Sequence, residues 1–215
     1  MNKLSKAQIA SRQKTLLAAL LLSMWAPIVT GIAVLLSRSA TQLADFIRRS
    51  VEFIALLISW QVFRYIEAGQ DVSQEKKARL RKAAGFSVAV ALSISGISIF
   101  GVTIIRIIDF QPGGNVYPGL AIAVLAIIVN SWFWIRYSRM TREHYNKVID
   151  FQRLMYRAKT IVDLSVIIAL SFIAIGPGLE ATRYIDALGS VVVSFYLVWS
   201  GITTLRTTLK KIPAI

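Results

Sequence analysis

An all-α integral membrane protein, a six-transmembrane-helix bundle with both termini cytoplasmic, is the fold this sequence predicts, and three observations predict it. Hydrophobic residues fill 55% of the 215 positions, and the mean hydropathy is +0.60. A soluble domain of this length does not carry so many long apolar runs. The runs fall at 15–37, 41–66, 84–107, 119–137, 154–177 and 184–205, each near the roughly 20 residues that cross a bilayer as a helix. Basic residues, finally, are distributed unevenly. Sixteen Lys/Arg lie in the N-terminal segment, the 67–83 and 138–153 connections and the C-terminal tail, whereas Arg38, Arg106 and Arg183 alone fall in the other three connections. That is the positive-inside pattern.

Taken in order, the first run follows Lys3, Lys6, Arg12 and Lys14. It is too long for the apolar region of a signal peptide, and no small-residue cleavage motif follows, so it reads as a retained span. Pro27 and Gly31 inside it predict a kink, with tolerated packing favoured over a functional hinge. After the second run, the mixed charges of 67-EAGQDVSQEKKARLRKAAG-85 suit a solvated linker or a helix extension. The third run carries Gly85, Gly96 and Gly101 with Ser87, Ser93, Ser95 and Ser98, a small-residue surface for close helix packing. The breakers of 109-DFQPGGNVYPG-119 make an outside loop. Trp132 and Trp134, beside Arg136 and Tyr137, form an interfacial belt at the inner end of the fourth run. Helical spacing across 138–153 extends the fourth and fifth helices beyond the membrane, and Pro177–Gly178 ends the fifth. The domain expectation is a basic N-terminal segment 1–14, a six-span domain 15–205 and a short tail 206–215 without a further domain.

The net charge of +14 would suggest nucleic acid in a soluble chain. Here its position makes it a topology signal, with anionic inner-leaflet lipids as the partners and nucleic acid excluded. The cytoplasmic membrane of a bacterium is the expected location. With no cysteine and a single histidine, disulfides, thiolate chemistry and His/Cys metal clusters are excluded. His144, between Glu143 and Tyr145, reads as a solvated loop residue. There is no Ser/His/Asp set and no phosphate-binding glycine loop, so the chain is not expected to be an enzyme, and no cofactor is implied. Asp109 and Asp186 read as helix-end residues, and Asn130 as a packing residue able to hydrogen-bond across helices.

Two runs break the apolar pattern. In 41-TQLADFIRRSVEFIALLISWQVF-63, Asp45, Arg48, Arg49 and Glu52 fall on one continuous stripe; in 154-LMYRAKTIVDLSVIIALSFIAIG-176, Lys159 and Asp163 stand four residues apart. Ionisable groups in hydrocarbon cost at least about 2.5–3.5 kcal/mol each. Four-residue spacing lets Arg48 neutralise Glu52 and Lys159 neutralise Asp163 within their own helices.

The segments 39-SATQLADFIRRSVEF-53 and 163-DLSVIIALSFIAIGPGLEATRYIDALGSVVVSFYLVWSGITTLRTTL-209, in six-span order, resemble the membrane domain of cation diffusion facilitators. That resemblance implies proton-coupled export of Zn²⁺ or a related divalent metal by a homodimer, or alternatively association with another membrane protein. It also implies a site built from two ligands on the second span and two on the fifth, each pair at four-residue spacing and made of Asp or His. The positions that match are Arg48, Glu52, Lys159 and Asp163, with Asp45 and Arg49 as supporting charges. Two keep a carboxylate; the other two carry cations, which offer a metal no lone pair. The family's His-Gly motif in the connection after span two is absent, and no C-terminal metal-sensing domain is expected. Two readings follow: a cation transporter with a non-standard site, or a non-transporting scaffold or regulatory subunit whose metal site is replaced by internal salt bridges.

Overall fold

In a computed structural model, residues 5–37, 40–67, 73–108, 117–175 and 180–209 are described. They form six helices: α1 (Lys6–Ser37), α2 (Ala40–Glu67), α3 (Gln74–Ile108), α4 (Tyr117–Glu143), α5 (Lys147–Ile175) and α6 (Glu180–Leu209). Five of the six predicted runs lie wholly within one of them, and the fifth, 154–177, does so as far as Ile175, where the described part of α5 ends; most helices outrun their apolar stretch. Segment 74–83 is helix extension rather than linker, and α4 and α5 both extend into the 138–153 connection. The 109–116 part of the predicted outside loop, with Asp109, lies outside the described residues, as do Pro177–Gly178, the tail from residue 210 and the side chain of Asp186.

Among the described residues, four helices are long and apolar enough to cross a membrane: α1, α3, α4 and α6. The chain is therefore a membrane protein with an all-helical fold. Helices α2 and α5 carry charged residues within their apolar runs. Asp45, Arg48, Arg49 and Glu52 interrupt α2, and Arg157, Lys159 and Asp163 interrupt α5.

Helix α3 packs most extensively against α6, α4 against α5, and α2 against both α1 and α3. The α3–α6 contact is close because small residues face each other. A Cβ at Gly96 would stand 2.7 Å from the Ser194 carbonyl oxygen, and one at Gly201 would meet Ser93 Oγ and the Ala89 carbonyl oxygen. Backbones that approach this closely gain dispersion contact without Coulombic help. Gly101, of the same predicted surface, has nothing within 4 Å of such an added atom; the small-residue seam thus ends before it.

Helix α1 runs unbroken through Pro27. The Thr30 hydroxyl donates back to the Ala26 carbonyl at 2.8 Å, the local bond by which a threonine inside a helix satisfies its hydroxyl.

The fully buried residues concentrate at the end of the bundle that carries the basic connections. Leu16, Leu56, Phe63, Ile149 and Met155 pack there with Phe133, Tyr137 and Tyr156, whose rings stand 5.0–6.1 Å apart. Arg12, counted in the sequence among the basic residues that mark topology, is 2% exposed. Its Nη2 donates to the Met140 carbonyl at 2.6 Å and the His144 carbonyl at 2.9 Å. Both carbonyls lie at the end of α4, and that of Met140 also accepts from His144 N at 3.2 Å. His144 is accordingly half-buried rather than a free loop residue.

Candidate functional site

Of the six charged residues predicted as a site, Glu52 and Lys159 meet where α2 faces α5, and Asp45, Arg48 and Arg49 cluster along α2, a pairing that differs from the expectation. Lys159 Nζ reaches across from α5 to Glu52 Oε2 of α2 at 3.1 Å, with both side chains about 15% exposed (15% and 14%). Arg48 turns the other way along α2. Its Nε and Nη2 donate to Asp45 Oδ1 at 3.1 and 2.8 Å, and Arg49 Nε donates to Asp45 Oδ2 at 2.7 Å. Among the described residues neither Arg48 and Glu52 nor Lys159 and Asp163 come within ion-pair distance. The self-neutralising pairs predicted within each helix are therefore corrected to one pair between helices and one forked cluster inside α2.

The physical reason lies in side-chain reach. Side chains on a helix lean toward its N-terminus, so Arg48 leans onto the turn holding Asp45, one turn before it, and away from Glu52. Lys159 faces α2, and its long stem spans the gap between helices. Across the helix contact the attraction between the two charges offsets part of the cost of desolvating both.

Asp163 is the carboxylate of this group that has no ion-pair partner among the described residues. Its Oδ2 accepts a hydrogen bond from Asn130 Nδ2 of α4 at 2.7 Å. Asn130, read as a packing residue, thus belongs to the site, and the signal available in the sequence was a lone amide in an otherwise apolar run. Two further contributors carried weaker signals. Ser95, one of the small residues of α3, donates its hydroxyl to Glu52 Oε1 at 3.1 Å. Tyr156, one turn before Lys159, places its ring 5.1 Å from the ammonium, a cation–π contact that favours the charged amine; its hydroxyl lies 3.5 Å from Ser23 Oγ of α1.

Five helices therefore meet at this centre: α2 and α5 supply the charges, α4 an amide, α3 and α1 hydroxyls. The formal charges of Asp45, Arg48, Arg49, Glu52, Lys159 and Asp163 sum to zero. No group of three or more His, Cys, Asp or Glu able to hold a metal ion occurs among the described residues. A tetrahedral Zn²⁺ cage is not what this donor set builds, since guanidinium and ammonium groups lack lone pairs.

Residues 16–212 match the cation efflux transmembrane domain. No curated protein matches the chain.

Proposed function

The chain belongs to the cation efflux family, and on that premise we propose a membrane transporter of the cation-efflux type whose centre is non-standard. Lys159 stands on Glu52 as a resident cation, and Asp163, held by Asn130, is the carboxylate open to cargo. The observation that carries this reading is the 3.1 Å bridge between Lys159 and Glu52. It puts a positive charge of the chain's own where a bound cation would have to sit.

A divalent cation entering this centre meets two obstacles, the charge of Lys159 and the lack of donors. Both are removed if the ammonium gives up its proton, because a neutral amine has a lone pair and no longer repels. Glu52 is freed in the same step. One cation would enter as one proton leaves, which couples the two flows. The same reading sets all six helices across a bacterial cytoplasmic membrane, both termini inside, in a homodimer.

Uptake of Zn²⁺, Mn²⁺ and Fe²⁺ into proteoliposomes under a pH gradient tests this. Flux should be present in the wild type and lost in Glu52→Ala/Asp163→Ala and in Lys159→Met; unchanged flux in Lys159→Met would exclude the proton-coupling role. The second reading, a non-transporting scaffold or regulatory subunit, is favoured by the saturation of Arg48, Arg49 and Asp45 among themselves. Absence of wild-type flux with every metal selects it. Tight Zn²⁺ binding by calorimetry that Glu52→Ala abolishes would sink it.

A further inference from the structure

At the basic end of the bundle, well away from the charged centre, a shallow cleft opens where three helices meet. It is lined by Ala78, Arg81 and Lys82 of α3, Lys147 and Phe151 of α5, and Thr208 of α6. The cleft exists because Gly85, one turn further along α3, has no side chain. A Cβ there would stand 2.6 Å from Phe151 Cζ and would also meet Thr208 Oγ1, so α5 and α6 close onto α3 just beyond it.

The three cations on this cleft differ from their neighbours. Arg79 on α3 pairs with Glu75, and Arg153 on α5 pairs with Asp150. Arg81, Lys82 and Lys147 make no ion pair and no side-chain hydrogen bond among the described residues. Three like charges gathered on one cleft repel each other, and an anion placed among them relieves that repulsion. Backbone amides of the α5 start are not free to bind the anion in their place. Asn146 Oδ1 already accepts from Val148 N at 3.0 Å and Ile149 N at 3.4 Å. The ligand must therefore be held by side-chain charge.

Depth identifies the anion's source. Arg81 and Lys82 immediately precede 83-AAGFSVAVAL-92, the start of the α3 apolar run, so the cleft sits at the boundary between hydrocarbon and water. Lipid phosphates lie at that level, and basic pockets between membrane helices hold anionic headgroups. We infer that Arg81, Lys82 and Lys147 form a site for the phosphate of an anionic lipid headgroup, seated between α3, α5 and α6.

Native mass spectrometry and thermal unfolding of the detergent-purified full chain test this, with phosphatidylglycerol, phosphatidylcholine and inorganic phosphate as separate additions. Phosphatidylglycerol should form retained adducts and raise the midpoint, and phosphatidylcholine should not. Each cation removed should weaken phosphatidylglycerol binding about fivefold, near 1 kcal/mol per charge, and Arg81→Gln/Lys147→Gln about 25-fold. Arg81→Lys/Lys147→Arg should keep binding, which separates loss of charge from loss of fold. Lys6→Gln/Lys14→Gln removes the same charge from exposed positions of α1 and should leave binding unchanged. Equal loss in both Gln pairs would reduce the effect to net charge and overturn the site. Equal retention of phosphatidylcholine would overturn its preference for anions, and displacement by inorganic phosphate below millimolar would make free phosphate the ligand.

Discussion

The two halves of the bundle are built on opposite principles. The basic end is dry and interlocked. Leu16, Leu56, Ile149, Met155, Tyr137 and Tyr156 are at most 1% exposed, and aromatic rings from α4 and α5 fill the space between helices. Toward the other end, among the described residues, side chains are partly open: Asp45 is 33% exposed and Arg49 35%, and Gly101 has no neighbour to meet. The charged centre sits where the first regime gives way to the second. Side-chain packing holds the helices together in one half, and charged and small residues dominate the other.

Breaking the comparison starts at its seam. Lys159→Met should cost about 3–5 kcal/mol, because it strands the Glu52 carboxylate among apolar helices. Lys159→Met/Glu52→Gln should recover most of that loss, and unfolding titrations in mixed micelles over the double-mutant cycle give the coupling directly. Full additivity of the two substitutions would deny the bridge. Arg12→Ala comes next, at about 3 kcal/mol, since it removes a charge-assisted donor from two buried carbonyls. The same titration measures it, with Arg12→Lys intermediate.

Overpacking the α3–α6 seam with Gly96→Leu should cost roughly 1–3 kcal/mol or displace the helices. Gly101→Ala, five residues further along α3, should change the unfolding midpoint by less than about 0.5 kcal/mol. Equal effects at the two glycines would erase the boundary between the halves. Asp163→Asn sharpens the comparison from the loose side. Its stability change should stay under about 1 kcal/mol, because the amide oxygen still accepts from Asn130, yet cation flux in proteoliposomes should disappear.

The fold was largely legible. Six apolar runs became six helices, and the stripe of Asp45, Arg48, Arg49 and Glu52 marked the face of α2 on which the charges lie. The partners within the site were not legible, and the cause is geometric. Four-residue spacing makes Lys159 and Asp163 neighbours on α5, but it says nothing about which helix the lysine faces. Glu52 is 107 residues away, and only the packing of α2 on α5 brings it within 3.1 Å. Asn130 had the right chemistry on the right kind of helix; choosing Asp163 for it required the α4–α5 contact. The burial of Arg12 was not legible for a related reason. A cation preceding an apolar run reads as topology, whereas burial depends on carbonyl acceptors 128 and 132 residues further on.

That last contact has a consequence for biogenesis. Arg12 leaves the ribosome early, but its acceptors at Met140 and His144 follow only after most of the chain has been made. At about 5–20 residues per second, the interval is of order ten seconds. Throughout it the first helix must wait in the membrane with a guanidinium seeking headgroups or water. Packing on the second helix can form early, but the Arg12 contacts close only when the end of the fourth helix arrives, so insertion of the first helix precedes this last fastening of it.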